Sequence, residues 1–203
     1  MNEPQKLKII GVTNPSRLAC IARARTYTQY RKMVDDALAD RCPFCNIDTD
    51  HNKIVAETAH WVALHCNPPE KHTKHHFLYV PRSHVVHMLA LLPEELANLF
   101  TLISRVRSQY SYRSSGILIR DGDATLSAGT IQHLHVHEMV PDGTGRVESP
   151  FYKGREAEEA SLRRAIIFEK MRKTSILTGL TDPFLLASNL SEEDYLLIDD
   201  RLK

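Results

Sequence analysis

His133-Leu134-His135-Val136-His137 sets three histidines in strict alternation ahead of Glu138-Met139-Val140, and Pro141-Asp142-Gly143 stops the run. Such alternation fits an extended strand, in which every second side chain shares a face. A strand is expected over residues 131–140. His133, His135 and His137 then line one face, while Leu134 and Val136 enter the core from the other. Successive histidines stand about 6.6 Å apart and the outer two about 13 Å. One metal ion cannot take all three, because its bonds to nitrogen are about 2 Å long. Three readings of the face remain. It is a solvated polar strand, or a catalytic zinc site on His133 and His135 with a third ligand from elsewhere, or a nucleophilic imidazole flanked by groups that bind phosphate and move protons.

Outward from this strand the pattern is mixed. Leu18, Ile21, Tyr27, Tyr30, Met33, Val34 and Leu38 form a broken apolar stripe that predicts a helix over 15–40. Short strands are expected at 54–57, 61–65, 75–81 and 116–120, with Asn67-Pro68-Pro69 forcing a loop. A short helix is expected over 83–91. A longer one starts at Pro93 with Glu94 and Glu95 at its positive end, and Leu96, Leu99, Phe100, Ile103 and Val106 as its buried face. A charged helix over 156–172, a turn at Asp182-Pro183 and a short helix near Ser191 follow. Short connections between strands favour an antiparallel α+β sheet of about five strands. Neither G-x-G-x-x-G nor G-x-x-x-x-G-K-[ST] occurs. The expected division is a helical extension over 1–41, a catalytic domain over 42–150 and a second helical extension over 151–203.

Composition narrows the function classes. Twenty-six Lys and Arg nearly cancel twenty-five Asp and Glu, so charge gives no case for a nucleic-acid or membrane surface. No apolar run is long enough to span a bilayer, and the first residues lack a leader pattern, so a reducing, cytoplasmic setting is expected. There the four cysteines are thiols or metal ligands rather than disulfides. All eleven histidines lie between His51 and His137. Cys42-Pro43-Phe44-Cys45 reads as half a zinc site, as a redox pair, or as two buried thiols. It follows a helix rather than starting one after a strand, which disfavours the redox reading. Cys20 and Cys66 are isolated, so histidine is the natural supply of two further zinc ligands.

The stretch Ser127-Ala128-Gly129-Thr130-Ile131-Gln132-His133-Leu134-His135-Val136-His137 resembles the motif of the histidine-triad superfamily. His75-His76-Phe77-Leu78-Tyr79-Val80-Pro81-Arg82-Ser83-His84-Val85 is similar to that family's upstream Val-Pro segment. The resemblance spans about residues 42–140 and departs from the pattern at Glu138, where the family carries an apolar residue. It implies a histidine-triad fold and a nucleotide-binding hydrolase or nucleotidyltransferase. His135 would attack the α-phosphorus of a nucleoside phosphate derivative: a dinucleoside polyphosphate, a phosphoramidate or an adenylylated compound. His137 and Thr130 would bind phosphate, His76 would orient or complete the site, and Asn67 would contact ribose, although Asn67 also reads as a plain turn former. Zinc-bearing members combine a Cys-x-x-Cys with two histidines, which correspond to Cys42, Cys45, His84 and His133. That zinc would be structural. The family also implies a homodimer formed through a helix and a strand. Against this stand the catalytic-zinc hydrolase and a nucleotide-binding protein without turnover.

Overall fold

The computed structural model describes residues 19–50, 52–124, 126, 127, 129–149 and 154–199. They group into two compact units, one of residues 42–149 and one of residues 19–41 with 154–199.

The first unit is built on five antiparallel strands: β1 (Ile54–Glu57), β2 (Trp61–His65), β3 (Thr73–Pro81), β4 (Gly116–Arg120) and β5 (His135–Pro141). Their order is β1-β2-β3-β5-β4, so the histidine strand has a partner on each side. Leu78 and Leu118 flank His137 across the ladder, and Tyr79 and Ile119 flank Val136. Three of the expected strands, β1, β2 and β4, have the bounds read from the sequence.

β5 starts later than expected, at His135. Its neighbours set that limit. The ladder with β4 runs out at Arg120, which pairs with His135, and the ladder with β3 runs out at Tyr79, which pairs with Val136. His133 therefore lies in the approach to the strand, where Leu134 donates its N–H to the Val85 carbonyl at 2.7 Å. The helix expected over 83–91 shrinks to a 3-10 turn at Met88–Ala90. The Val85 and Val86 carbonyls are taken by the amides of Leu134 and Gly122, so they are not available to a helical ladder. Gly122 has φ +80°, and a β-carbon there would meet the His87 ring at 3.0 Å.

One sheet face packs on helix α1 (Tyr27–Leu38)'s successor in the chain, α2 (Pro93–Tyr110). Trp61, Phe77, Tyr79, Leu134 and Val136 meet Leu99, Leu102, Ile103 and Val106 of α2 there. Trp61 donates its indole N–H to the Glu95 carbonyl at 2.7 Å. Phe100, expected in that face, is 68% exposed; the next helical position after Leu99 turns it outward. Glu138 points into this core and is fully buried. Tyr79 and Ser115 donate hydroxyl hydrogen bonds to its carboxylate at 2.5 and 2.7 Å, and the Arg107 guanidinium stands 3.6 Å away. A buried carboxylate needs such partners, and they explain how Glu138 occupies a place where an apolar residue was expected.

The other unit joins α1 with α3 (Arg155–Thr178) and two short helices, α4 (Pro183–Ala187) and α5 (Glu192–Leu196). The expected helix over 15–40 is a 3-10 turn at Ile21–Arg23 and then α1, whose first turn is capped by Thr26 accepting from the Gln29 N–H at 3.1 Å. Residues 15–18 lie outside the described residues. Glu169 of α3 accepts from the Tyr30 hydroxyl at 3.0 Å and from Arg172 at 2.8 and 2.9 Å. Phe168 sits tilted against Tyr27 and Tyr30 with ring centroids 5.8 and 5.7 Å apart. Gly179, at φ +73°, ends α3 in the left-handed conformation that glycine adopts without strain.

Glu138→Ala is expected to cost about 2–4 kcal/mol, because it leaves the Tyr79 hydroxyl and the Arg107 charge without their buried acceptor. Glu138→Gln, which keeps one acceptor oxygen, should cost less. Urea denaturation checks this, and an alanine variant as stable as wild type contradicts the account.

Candidate active site

The sheet face away from α2 carries His135 and His137. Its remaining apolar residues, Val62, Leu64 and Val80, are covered by Phe44 and Ile47 from the segment that follows Cys42. That segment makes a tight turn, with the Cys45 and Asn46 amides both donating to the Cys42 carbonyl at 3.2 and 3.1 Å. The turn presents both sulfurs on one side.

Those sulfurs meet two histidines. His133 Nδ1 lies 3.4 Å from Cys42 Sγ and 3.6 Å from Cys45 Sγ, and His84 Nδ1 lies 3.2 Å from Cys45 Sγ. One ligand atom from each of the four residues falls within 4.8 Å of all the others. Neighbouring donors in a tetrahedral zinc site stand about 3.6 Å apart, given bonds of about 2.1–2.3 Å. The four residues fit that spacing and that donor chemistry. His133 Nε2 donates to the Pro81 carbonyl at 3.0 Å, which puts its ring hydrogen there and leaves Nδ1 as a lone pair facing the sulfurs.

His135 is 5% exposed. Its Nδ1 donates to the His133 carbonyl at 2.7 Å, so in the neutral ring Nε2 carries the lone pair. Burial holds this imidazole well below its usual range, down to about 4; the bond to the His133 carbonyl opposes that and the Arg120 charge reinforces it. Phe44 packs edge-on against the His135 ring at 5.3 Å between centroids.

His137 and His76 form a second hydrogen-bonded pair, with His76 Nε2 2.8 Å from His137 Nδ1. The Glu70 amide donates to His76 Nδ1 at 3.0 Å. With both rings neutral, His76 must hold its hydrogen on Nε2 and give it to His137 Nδ1, and His137 then keeps a hydrogen on Nε2. Cys66 comes within 4.8 Å of this pair. The proton on His76 Nε2 occupies the lone pair that a metal ion would need, so the arrangement is a hydrogen-bond relay. The His135 and His137 rings are 5.1 Å apart.

Asn67 is exposed two residues beyond β2, and Thr130 is half-buried in the β4–β5 loop. Among the described residues neither has a hydrogen bond to the three histidines. Two neighbours of His135 were missed by sequence reading. Phe44 could have been suspected from its place between Cys42 and Cys45. Arg120, 7% exposed and paired with His135 across the ladder, lies where the resemblance puts an upstream Asn, near Arg120 or Asp121, but the residue itself was given no role.

Residues 49–144, a little under half of the chain, match the family model described as HIT domain. A HIT family hydrolase from Clostridium thermocellum is 19% identical, over 52% of this chain and 94% of its own, with a TM-score of 0.44. A zinc-bound histidine triad family protein from Mycobacterium smegmatis is 26% identical, over 62% and 92%, with a TM-score of 0.41. A hypothetical protein from Leishmania major is 20% identical, over 70% and 99%, with a TM-score of 0.44. Comparison with curated proteins gives no match. No helix among the described residues is long and apolar enough to cross a membrane.

The ring hydrogens are checkable. At neutral pH, nitrogen-15 imidazole spectra should give the Nδ1–H form for His135 and the Nε2–H form for His76. An Nε2–H form of His135 would contradict the hydrogen bond from its Nδ1 to the His133 carbonyl.

Proposed function

We propose that this chain is a nucleotide hydrolase or nucleotidyltransferase that acts on nucleoside phosphate derivatives through a nucleotidyl-histidine intermediate on His135. One observation carries the reading: the Nδ1–H of His135 is tied to a backbone carbonyl, which aims an unprotonated Nε2 out of the same face that bears the His76–His137 pair. Nε2 attacks the α-phosphorus, the bond from phosphorus to the leaving group breaks, and the leaving group departs with the electron pair and gains a proton. Water or another acceptor then attacks the same phosphorus and gives up its proton to solvent, the P–N bond breaks, and its electron pair returns to Nε2. His137 donates from Nε2 to a phosphate oxygen, with His76 fixing its tautomer. Hydrogen-bond donors placed where charge develops lower the barrier, and Thr130 is the second such donor. Asn67 contacts the ribose.

Zinc belongs to this reading as a structural ion held by Cys42, Cys45, His84 and His133. Four protein ligands leave it no open position, so it ties the Cys42–Cys45 turn to the strand approach and leaves the chemistry to His135. The same tie keeps Phe44 against the His135 ring. A homodimer fits the exposed edge of β4, where Ile117 is 49% exposed, together with the outward-facing Phe100 of α2. The catalytic-zinc alternative draws less support from the geometry, because among the described residues the donor atoms that cluster with His133 are those of Cys42, Cys45 and His84, and His135 is not one of them.

A panel of nucleotide derivatives, with and without phosphate as acceptor, tests the function. Wild type should give a trapped adduct on His135, and His135→Ala should lose about a thousandfold or more in kcat. Equal turnover by the two proteins overturns the mechanism. Protein purified without added zinc should retain about one zinc per chain, and Cys42→Ser should lose both the metal and thermal stability. A small fraction of zinc together with an unchanged melting temperature in that variant overturns the structural ion.

A further inference from the structure

Arg120 is the last residue of β4 and the direct cross-strand partner of His135. Partners across an antiparallel ladder share a face, with β-carbons about 5 Å apart. The register therefore sets a cation beside the nucleophile's own backbone position. Arg120 is 7% exposed. Its guanidinium donates to the Ser127 carbonyl and, at 2.9 Å, to the Ser149 hydroxyl. Ser127 belongs to the loop between β4 and β5, the loop that also carries Thr130. Arginine keeps its charge at any working pH and uses a rigid fork of donors. One side chain thus fastens the loop that follows β4 and keeps a positive charge on the sheet face that carries His135.

The charge has a consequence for ligands. A buried cation acts on every phosphate that approaches the site, and the effect grows with the number of negative charges. We propose that Arg120 is a charge-selecting and positioning residue of the His135 site, favouring nucleosides that carry two or more phosphates over those that carry one or none. The proposal rests on the nucleotide reading above. It extends that reading to a substrate class, polyphosphate-bearing nucleotides, and to a residue outside the histidine motif.

Binding of adenosine, AMP and ADP to the full chain, measured by calorimetry on wild type, Arg120→Gln and Arg120→Lys, tests it without requiring turnover. Arg120→Gln should weaken ADP by about tenfold, AMP by about threefold and adenosine hardly at all. Arg120→Lys, which restores the charge but not the fork, should return the preference for ADP over adenosine while lowering kcat through a looser loop. Circular dichroism and melting curves identify a variant that fails to fold. In that case the slope of wild-type ADP affinity against salt decides, and it should exceed the slope for AMP. A Gln variant that shifts all three ligands by one common factor, or shifts none, overturns the proposal, as does a Lys variant no better than Gln or equal salt slopes for ADP and AMP. Failure of wild type to bind any of the three overturns the nucleotide reading itself, which distinguishes that failure from the loss of the Arg120 assignment alone.

Discussion

The carbonyl of His133 holds the Nδ1 hydrogen of His135, while the His133 ring reaches from the Pro81 carbonyl to the sulfurs of Cys42 and Cys45. Backbone and side chain of one residue are thereby committed in three directions. The ring direction fixes where the chain runs before β5 begins, and the carbonyl direction then fixes the tautomer and tilt of the next histidine. A displacement of the Cys42–Cys45 turn would be felt at His135 twice, through the His133 carbonyl and through the Phe44 ring. The Cys-His cluster and His135 are therefore one mechanical assembly, although His135 is not part of the cluster.

β5 must also satisfy two environments in alternation. His135 and His137 face the polar side, while Val136 and Glu138 face the core under α2. The carboxylate of Glu138 survives burial because Tyr79, Ser115 and Arg107 converge on it from β3, from the approach to β4 and from α2. A satisfied polar group of this kind resists register slip, since moving the strand by one residue would bury a histidine among leucines and expose the carboxylate. The stiffness of the histidine face thus owes something to a contact on its reverse.

Much of this was legible from the residues alone. β1, β2 and β4 are bounded by turn formers, so local sequence sets their ends. The convergence of Cys42, Cys45, His84 and His133 followed from a family resemblance rather than from any spacing rule, and the four do lie together. What escaped were features decided by distant partners. The start of β5 depends on where β3 and β4 stop. The 83–91 segment loses its helix because two of its carbonyls bond to residues 122 and 134. Phe100 turned outward because helical position, and not hydrophobicity, decides facing. The resemblance pointed near Arg120 or Asp121 for an upstream polar residue, but only the register of two strands that a loop separates sets Arg120 opposite His135.

The pairing of Tyr30 and Arg23 with Glu169 and Glu158 bears on the order in which the chain is made. Residues 42–149 are contiguous, so that unit has all its strands as soon as β5 has been synthesised. Residues 19–41 belong with 154–199, so α1 must wait until more than a hundred further residues have emerged before Phe168 and Glu169 exist to receive it. Vectorial synthesis at about 5–20 residues per second leaves the amphipathic face of α1 uncovered for about 6–26 seconds on every chain. The unit that carries the histidine strand can then form before the discontinuous helical unit can.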